Sequence, residues 1–149
     1  METINKISLK IGKSKIKKHN FTPEQINSPQ QLANYIRQFF GNDILIFESV
    51  FILLLNQNNT TIGYAKISQG GICSSIVDIK IVCKYVVDSL AQGVILCHNH
   101  PSGNLTPSSA DLNITEKLKE ALKYLDSKLI DHIILTENNY YSLADNGKI

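Results

Sequence analysis

The segment Val94-Ile-Leu-Cys-His-Asn-His-Pro-Ser-Gly-Asn-Leu-Thr-Pro-Ser-Ser-Ala-Asp111 joins an apolar run to a group of side chains that commonly bind metals. The apolar run at 94–97 predicts a buried strand. Side chains two residues apart in a strand point to the same face, so His98 and His100 can aim both imidazole rings at one point. The turn at 101–103 then redirects the chain, and Asp111 returns in the first turn of the next helix.

Two imidazoles and one carboxylate make a three-ligand set that leaves a fourth tetrahedral position for water. That arrangement is typical of catalytic zinc, whereas structural zinc sites fill the fourth position with protein. The sequence therefore predicts a Zn²⁺ site at His98, His100 and Asp111. Two alternatives remain open at this level. The histidines can be ordinary strand-end residues, and Ser108-x-x-Asp111 can be only a helix capping box.

The spacing of these residues resembles the H-x-H-x7-S-x2-D signature of the JAMM/MPN+ metalloproteases, with Ser108 between the histidines and Asp111. HNH nucleases share only the letters His-Asn-His, because in those enzymes the named residues are scattered through a longer motif. Three further stretches resemble the RadC branch of the JAMM family: His98-Asn-His-Pro-Ser-Gly103, Asp131-His132 and Tyr140-Tyr141-Ser142. The resemblance covers roughly residues 45–149.

This resemblance implies an MPN (cytidine deaminase-like) fold, in which helices flank a curved mixed β-sheet. It implies that His98, His100 and Asp111 bind zinc and that Ser108 helps to hold the metal-bound water or the oxyanion. The implied activity is that of a zinc-dependent metallopeptidase, an amide or isopeptide hydrolase acting on a peptide or protein substrate. The alternative is an MPN domain that serves as a binding module with little or no hydrolysis, associated with DNA repair through the RadC name.

The family's general base is a glutamate at the start of an apolar strand upstream of the histidines. Glu48, just ahead of the apolar run Val50–Leu55, matches that placement, and no other acidic residue occurs from 49 to 77. If the resemblance is left aside, Glu48 is interpreted as a solvent-exposed residue at the end of a strand. Asp78 fits a helix cap and is the reserve candidate for the base. His132 fits a structural hydrogen bond better than a metal contact.

Strands alternate with helices along the chain, which predicts an α/β or α+β domain around one mixed sheet. The hydrophobic patterns predict strands at Val50–Leu55, Ile62–Ile67, Val94–Cys97, Leu129–Leu135 and Tyr140–Leu143, with shorter ones near 7–11 and 72–77. They predict helices from Ser28-Pro29 to Gly41, from Asp78 to Gly93, and from Ser108 to Leu125. The apolar positions of the second helix are Ile81, Val82, Tyr85, Val86 and Leu90.

The composition of the 149-residue chain, with 43% hydrophobic and 19% charged residues, predicts one globular domain. The three cysteines form no CxxC pair, which favours a reducing, cytoplasmic compartment. Residues 1–18 lack the apolar core of a signal peptide, and no run approaches the ~20 apolar residues of a membrane span. We therefore expect no membrane partner, and the sequence does not indicate the oligomeric state.

Residues 1–20 form a basic extension ahead of the domain predicted at 21–149. The extension has six lysines against Glu2 alone, a charge of +5, whereas the remaining chain carries −3. A basic arm can neutralise phosphates, which makes nucleic acid a candidate partner. The alternative is a solvated tail, because the extension has no aromatic residue for base stacking.

Overall fold

The computed structural model describes residues 22–70 and 77–149. In chain order, the elements are α1 (Pro29–Phe40), a 3₁₀ helix (Gly41–Leu45), β1 (Ser49–Leu55), β2 (Thr61–Gln69), α2 (Ile79–Ser89), β3 (Gly93–Asn99), α3 (Ser109–Lys123), β4 (Lys128–Leu135) and β5 (Tyr140–Ser142). The basic extension, the strand predicted at 7–11 and nearly all of the strand predicted at 72–77 lie outside the described residues. Within the described residues, no helix combines the length and the apolar character needed to cross a bilayer.

The five strands of the described residues form one mixed sheet in the order β2-β1-β3-β4-β5. Strand β1 is antiparallel to both of its neighbours, β3 and β4 are parallel, and β5 is antiparallel to β4. A parallel pair needs a crossover connection, and α3 provides it between β3 and β4. Strands β1 and β3 are buried along their whole length, which explains why both are continuous apolar runs.

Helices cover both faces of this sheet. Alternate residues of β1 and β3 point to opposite faces and so divide the core into two layers. The layer under α1 contains Leu32, Ile36, Phe51, Leu53, Leu55, Ile95 and Cys97. The layer under α2 and α3 contains Val50, Ile52, Leu54, Val82, Val86, Val94, Leu96, Leu118 and Leu122. The predicted fold, a mixed α/β sheet flanked by helices, is confirmed.

The end of α2 differs from the sequence prediction. The helix ends at Ser89, and Leu90 follows in the left-handed conformation with φ of 55°. Gly93, predicted to close the helix, instead begins β3, where a Cβ atom would lie 3.0 Å from Ile130 Cγ1. Because Gly93 has no side chain, β3 can pack closely against Ile130 of the neighbouring strand.

Two of the five apolar positions predicted for α2 are buried in the core. Val82 and Val86 are buried, whereas Ile81 and Tyr85 are 42% and 41% exposed. Residues 81 and 85 form one stripe at helical spacing, and residues 82 and 86 form the neighbouring stripe. Because both stripes are apolar, periodicity alone does not identify the one that contacts the sheet.

We expect Leu90→Gly to raise the free energy of unfolding by about 0.5–1 kcal/mol, because glycine adopts positive φ without the steric cost that leucine bears. Leu90 is 73% exposed, so little packing is lost. Urea denaturation measures the change. Leu90→Ala is the control, since alanine keeps the left-handed strain and gains nothing. A loss of stability in the glycine variant would contradict the assignment of strain to this position.

Candidate metal centre

Three side chains converge where the end of β3 meets the first turn of α3. Their ligand atoms, from His98, His100 and Asp111, all lie within 4.8 Å of one another. His98 Nε2 is 2.9 Å from His100 Nε2 and 3.2 Å from Asp111 Oδ1. His100 Nε2 is 3.6 Å from Asp111 Oδ2. The structure therefore brings together the three side chains that the sequence predicts as metal ligands.

A capping box at the start of α3 holds the Asp111 carboxylate in position. Ser108 Oγ accepts a hydrogen bond from the Asp111 amide at 3.1 Å, and Asp111 Oδ2 accepts one from the Ser108 amide at 2.7 Å. The capping box left open by the sequence is thus present, and it coexists with the cluster of side chains. Because the Ser108 hydroxyl acts as an acceptor here, its hydrogen remains available for another acceptor.

A backbone carbonyl fixes the ring of His100. His100 Nδ1 lies 2.6 Å from the carbonyl oxygen of Asn104. Since a carbonyl oxygen can only accept, Nδ1 carries the hydrogen, and Nε2 of the neutral ring presents its lone pair to the cluster. This is the arrangement in which metal-binding histidines are commonly held.

The electrostatics of the cluster favour a bound cation. Burial opposes ionisation of Asp111, but the contacts with His100 and His98 outweigh that effect and hold the pKa of Asp111 well below its usual range. The same contact with Asp111 raises the pKa of His100, against the opposing effect of burial. The cluster therefore combines an ionised carboxylate with two imidazole nitrogens, and its negative charge favours binding of a cation.

The donor set also fits zinc in its geometry. Zinc bonds of 2.0–2.1 Å in a tetrahedron place neighbouring ligand atoms about 3.3 Å apart. The two Nε2 atoms lie 2.9 Å apart, and the two oxygens of the Asp111 carboxylate lie 3.2 Å from His98 Nε2 and 3.6 Å from His100 Nε2. With one ligand atom from each residue, all separations are within 4.8 Å. Two nitrogens and one carboxylate oxygen are also a ligand combination known for catalytic zinc. His98, His100 and Asp111 are therefore the residues that would hold a zinc ion.

A cavity of about 230 Å³ opens beside this cluster. Its polar wall is formed by Glu48, His98, Asp111 and His132, and its apolar wall by Val50, Val77, Leu96, Ala110 and Ile114. Val50 pairs with His98 across the β1–β3 ladder, so Glu48, two residues ahead of Val50, reaches the edge of the sheet that carries the histidines. The structure thus places Glu48 at the corner of the fold that holds His98 and Asp111.

The other residues of the RadC-like motif lie just behind the cluster. His132 Nε2 is 2.8 Å from His98 Nδ1, which confirms the expected structural hydrogen bond. Burial lowers the pKa of His132 to about 3, so the ring is neutral. Asp131 faces away from the cluster and accepts hydrogen bonds from Ser142 Oγ at 2.6 Å and from the Ala144 amide at 3.0 Å. Asp131 therefore anchors the C-terminal strand and takes no part in the cluster.

Sequence reasoning missed the contribution of Asn99, the residue between the two histidines in the sequence, whose side chain is fully buried. Asn99 Nδ2 donates to the carbonyl oxygens of Ile44 at 2.7 Å and Phe47 at 2.8 Å, and Asn99 Oδ1 accepts from the Ser49 amide at 2.8 Å. These bonds tie the segment that carries Glu48 to β3. An asparagine inside an apolar strand was the available signal, because buried amides need partners.

Comparison with known proteins places the domain in a family. The model of the RadC-like JAB domain matches residues 26–148. A UPF0758 protein of Flavobacterium johnsoniae is 40% identical over 140 residues, which cover 94% of this chain and 60% of that protein. A UPF0758 protein of Coprothermobacter proteolyticus is 36% identical over 141 residues, covering 93% of this chain and 60% of that protein. The chain thus spans less than two thirds of the length of these relatives, and it belongs to the RadC-like JAB domain family.

Proposed function

We propose that this domain is a zinc-dependent amide hydrolase that cleaves peptide or isopeptide bonds. The observation that carries the proposal is the convergence of His98 Nε2, His100 Nε2 and the Asp111 carboxylate beside a cavity that Glu48 lines. Membership of the RadC-like JAB family supports it, because the same residues match the metallopeptidase signature to which the sequence is similar.

Glu48 is the proposed general base. A bound zinc ion would supply Lewis acidity, making water a nucleophile near neutral pH and polarising a carbonyl group. The Glu48 carboxylate then accepts the proton of the attacking water and returns it to the leaving amine nitrogen. Its position in the wall shared with His98 and Asp111 gives it access to the water and to the leaving group.

Ser108 is the proposed oxyanion donor. Its Oγ accepts a hydrogen bond from the Asp111 amide, and Ser108 is an exposed residue at the start of α3, next to the proposed ligands. The hydroxyl hydrogen can be donated to the oxygen of the scissile carbonyl as negative charge develops there. A single donor of this kind typically contributes about 3 kcal/mol to transition-state stabilisation.

The shape of the cavity favours a chain-like substrate. Pockets that enclose a complete small-molecule ligand usually measure about 300–1,000 Å³, and this cavity is smaller, at about 230 Å³. Its walls are mainly aliphatic, with Val50, Leu96 and Ile114 below the polar rim. We propose that it accepts one side chain or a short extended segment of a peptide or protein, with the rest of the substrate outside.

Metal analysis tests the first part of the proposal. The purified chain is expected to bind one zinc ion, and His100→Ala is expected to weaken zinc binding by more than the roughly 10–100-fold typical of losing an outer-shell partner. His19→Ala is the matched control, because this histidine belongs to the N-terminal extension. Full zinc stoichiometry in the His100→Ala protein, with unchanged affinity, would contradict the assignment.

Cleavage of fluorogenic peptides and of isopeptide-linked conjugates by the zinc-loaded chain tests the second part. The proposal expects cleavage that a chelator abolishes and added zinc restores. Zinc binding without cleavage across these substrates would instead support the binding-module alternative. Cleavage that persists after the metal has been removed would contradict the zinc-dependent mechanism.

A further inference from the structure

A chain of three hydrogen bonds runs behind the cluster, and the proposed hydrolysis does not use it. His98 Nδ1 lies 2.8 Å from His132 Nε2, and His132 Nδ1 lies 2.6 Å from Thr115 Oγ1. Thr115 Oγ1 then donates to the backbone carbonyl of Asp111 at 2.6 Å. His98, His132 and Thr115 are between 1% and 3% exposed, so water does not replace these contacts.

The donor and the acceptor of each hydrogen bond in this chain can be deduced from the last acceptor, the carbonyl oxygen of Asp111. The Asp111 carbonyl can only accept, so it takes the single hydrogen of the Thr115 hydroxyl. Thr115 Oγ1 must then accept from His132, which places the ring hydrogen of His132 on Nδ1. The ring of His132 is 1% exposed, and its two nitrogens contact His98 and Thr115, neither of which is acidic, so a buried positive charge would have no counter-ion there. The ring is therefore neutral, and its Nε2 has no hydrogen and accepts from His98 Nδ1.

The same assignment follows independently from the other end of the chain. His98 turns Nε2 toward His100 and Asp111, and a neutral imidazole that uses Nε2 as a metal ligand carries its hydrogen on Nδ1. A hydrogen on His98 Nδ1 requires His132 Nε2 to be the acceptor. The same donor and acceptor were deduced above by starting from the Asp111 carbonyl. Both nitrogens of His132 are thus engaged, so this histidine is not a fourth ligand.

We propose that His132 and Thr115 are positioning residues that hold His98 as the Nδ1–H tautomer and keep its Nε2 lone pair directed at the metal. The chain joins β3, β4 and α3, and it ends on the backbone of Asp111, the ligand that comes from the helix. It therefore also couples the position of the strand ligand to that of the helix ligand. This proposal rests on the zinc site proposed above, but the Nδ1–H tautomer of His132 is expected with or without metal.

The wild-type protein alone provides the first test. Long-range ¹H–¹⁵N correlation spectra distinguish the protonated from the unprotonated nitrogen of each imidazole ring. We expect His98 and His132 both to carry their hydrogen on Nδ1, with His132 Nε2 unprotonated. A hydrogen on Nε2 of either ring in the zinc-loaded protein, or on His132 Nε2 in the metal-free protein, would overturn the proposal.

Variants of Thr115 provide the second test. Thr115→Val keeps the shape but removes the hydroxyl, so His132 loses the acceptor that fixes its tautomer, and the affinity for Zn²⁺ or Co²⁺ is expected to fall about 10–100-fold. The visible spectrum of the Co²⁺ protein should change as well. Thr115→Ser restores the hydroxyl and is expected to return the affinity and the spectrum to near wild type, which a purely steric role would not produce.

A buried threonine remote from the cluster supplies the matched control. Thr61 on β2 is 1% exposed, and its hydroxyl accepts from the Glu24 amide at 2.8 Å. Thr61→Val should therefore lower stability while leaving metal affinity and the His98 tautomer unchanged.

Two outcomes distinguish this proposal from the proposed zinc site. Equal metal affinity in the wild-type and Thr115→Val proteins would overturn the positioning role without contradicting the zinc site. No metal binding in any form, with both histidines as Nδ1–H, would overturn the zinc site and uphold the tautomer chain.

Discussion

Replacing Glu48 by glutamine is expected to reduce zinc-dependent peptide cleavage by about 10²–10⁴-fold, the usual contribution of a positioned general base. The zinc content should remain at the wild-type level, because Glu48 is not one of the three converging ligands. Glutamine has nearly the same shape as glutamate but cannot accept the proton of water. Parallel measurements of kcat and of bound zinc separate loss of chemistry from loss of metal.

The register of the sheet explains why Glu48 is favoured for this role. Strand β1 runs antiparallel to β3, so the start of β1 lies beside the end of β3, where the histidines are. The Glu48 carbonyl accepts a hydrogen bond from the Gly70 amide at 2.8 Å, which connects this segment to the end of β2. The charge of Glu48 makes the smallest of the contributions that raise the pKa of His100, behind those of Asp111 and the Asn104 carbonyl.

Asp78→Asn is the matched control for this experiment. Asp78 is the N-cap of α2 and accepts from the Lys80 amide at 2.9 Å and the Ile81 amide at 3.4 Å. Asparagine caps helices about as well as aspartate, so stability and cleavage should both be preserved. If instead Asp78→Asn abolished cleavage while Glu48→Gln retained it, the general base would have to be reassigned to the reserve candidate.

Local patterns in the sequence predicted most of the fold and the three proposed ligands. Ser28 caps α1 as predicted, with its Oγ accepting from the Gln31 amide at 3.2 Å. Side chains two residues apart in a strand share a face, which predicted that His98 and His100 lie on the same side. The short connection to the next helix predicted that Asp111 lies close to both. Each of these features depends on residues fewer than about fifteen positions apart, so backbone geometry alone determines them.

Contacts between distant segments could not be predicted in the same way. Thr115 meets His132 across 17 positions, and Asn99 meets Phe47 across 52. Such pairs depend on which strand lies next to which and on the rotation of each helix against the sheet. The rotation of α2 is a case of the second kind. Periodicity identified its apolar positions, but only packing decides that Val82 and Val86 are buried while Ile81 is exposed.

The hydrogen bonds of Asn99 lead to the prediction with the largest expected effect on stability. Asn99→Ala should lower the free energy of unfolding by about 2–4 kcal/mol, since it leaves the Ser49 amide and the carbonyls of Ile44 and Phe47 without their partner. For a domain of this size, the melting temperature should fall by roughly 5–15 °C. Thermal denaturation followed by circular dichroism measures the shift.

Asn99→Ala should also impair cleavage beyond its effect on stability. Asn99 anchors the residues on both sides of Glu48, so its loss frees the proposed base while the zinc ligands keep their capping box and ring contacts. Below the melting transition we therefore expect kcat to fall with zinc still bound.

Asn56→Ala is the control, because Asn56 Oδ1 accepts from the Asn58 and Thr60 amides in the β1–β2 turn. Its loss should lower stability and leave kcat unchanged. Equal kcat in the Asn99→Ala and wild-type proteins would show that the anchor stabilises the fold without positioning Glu48.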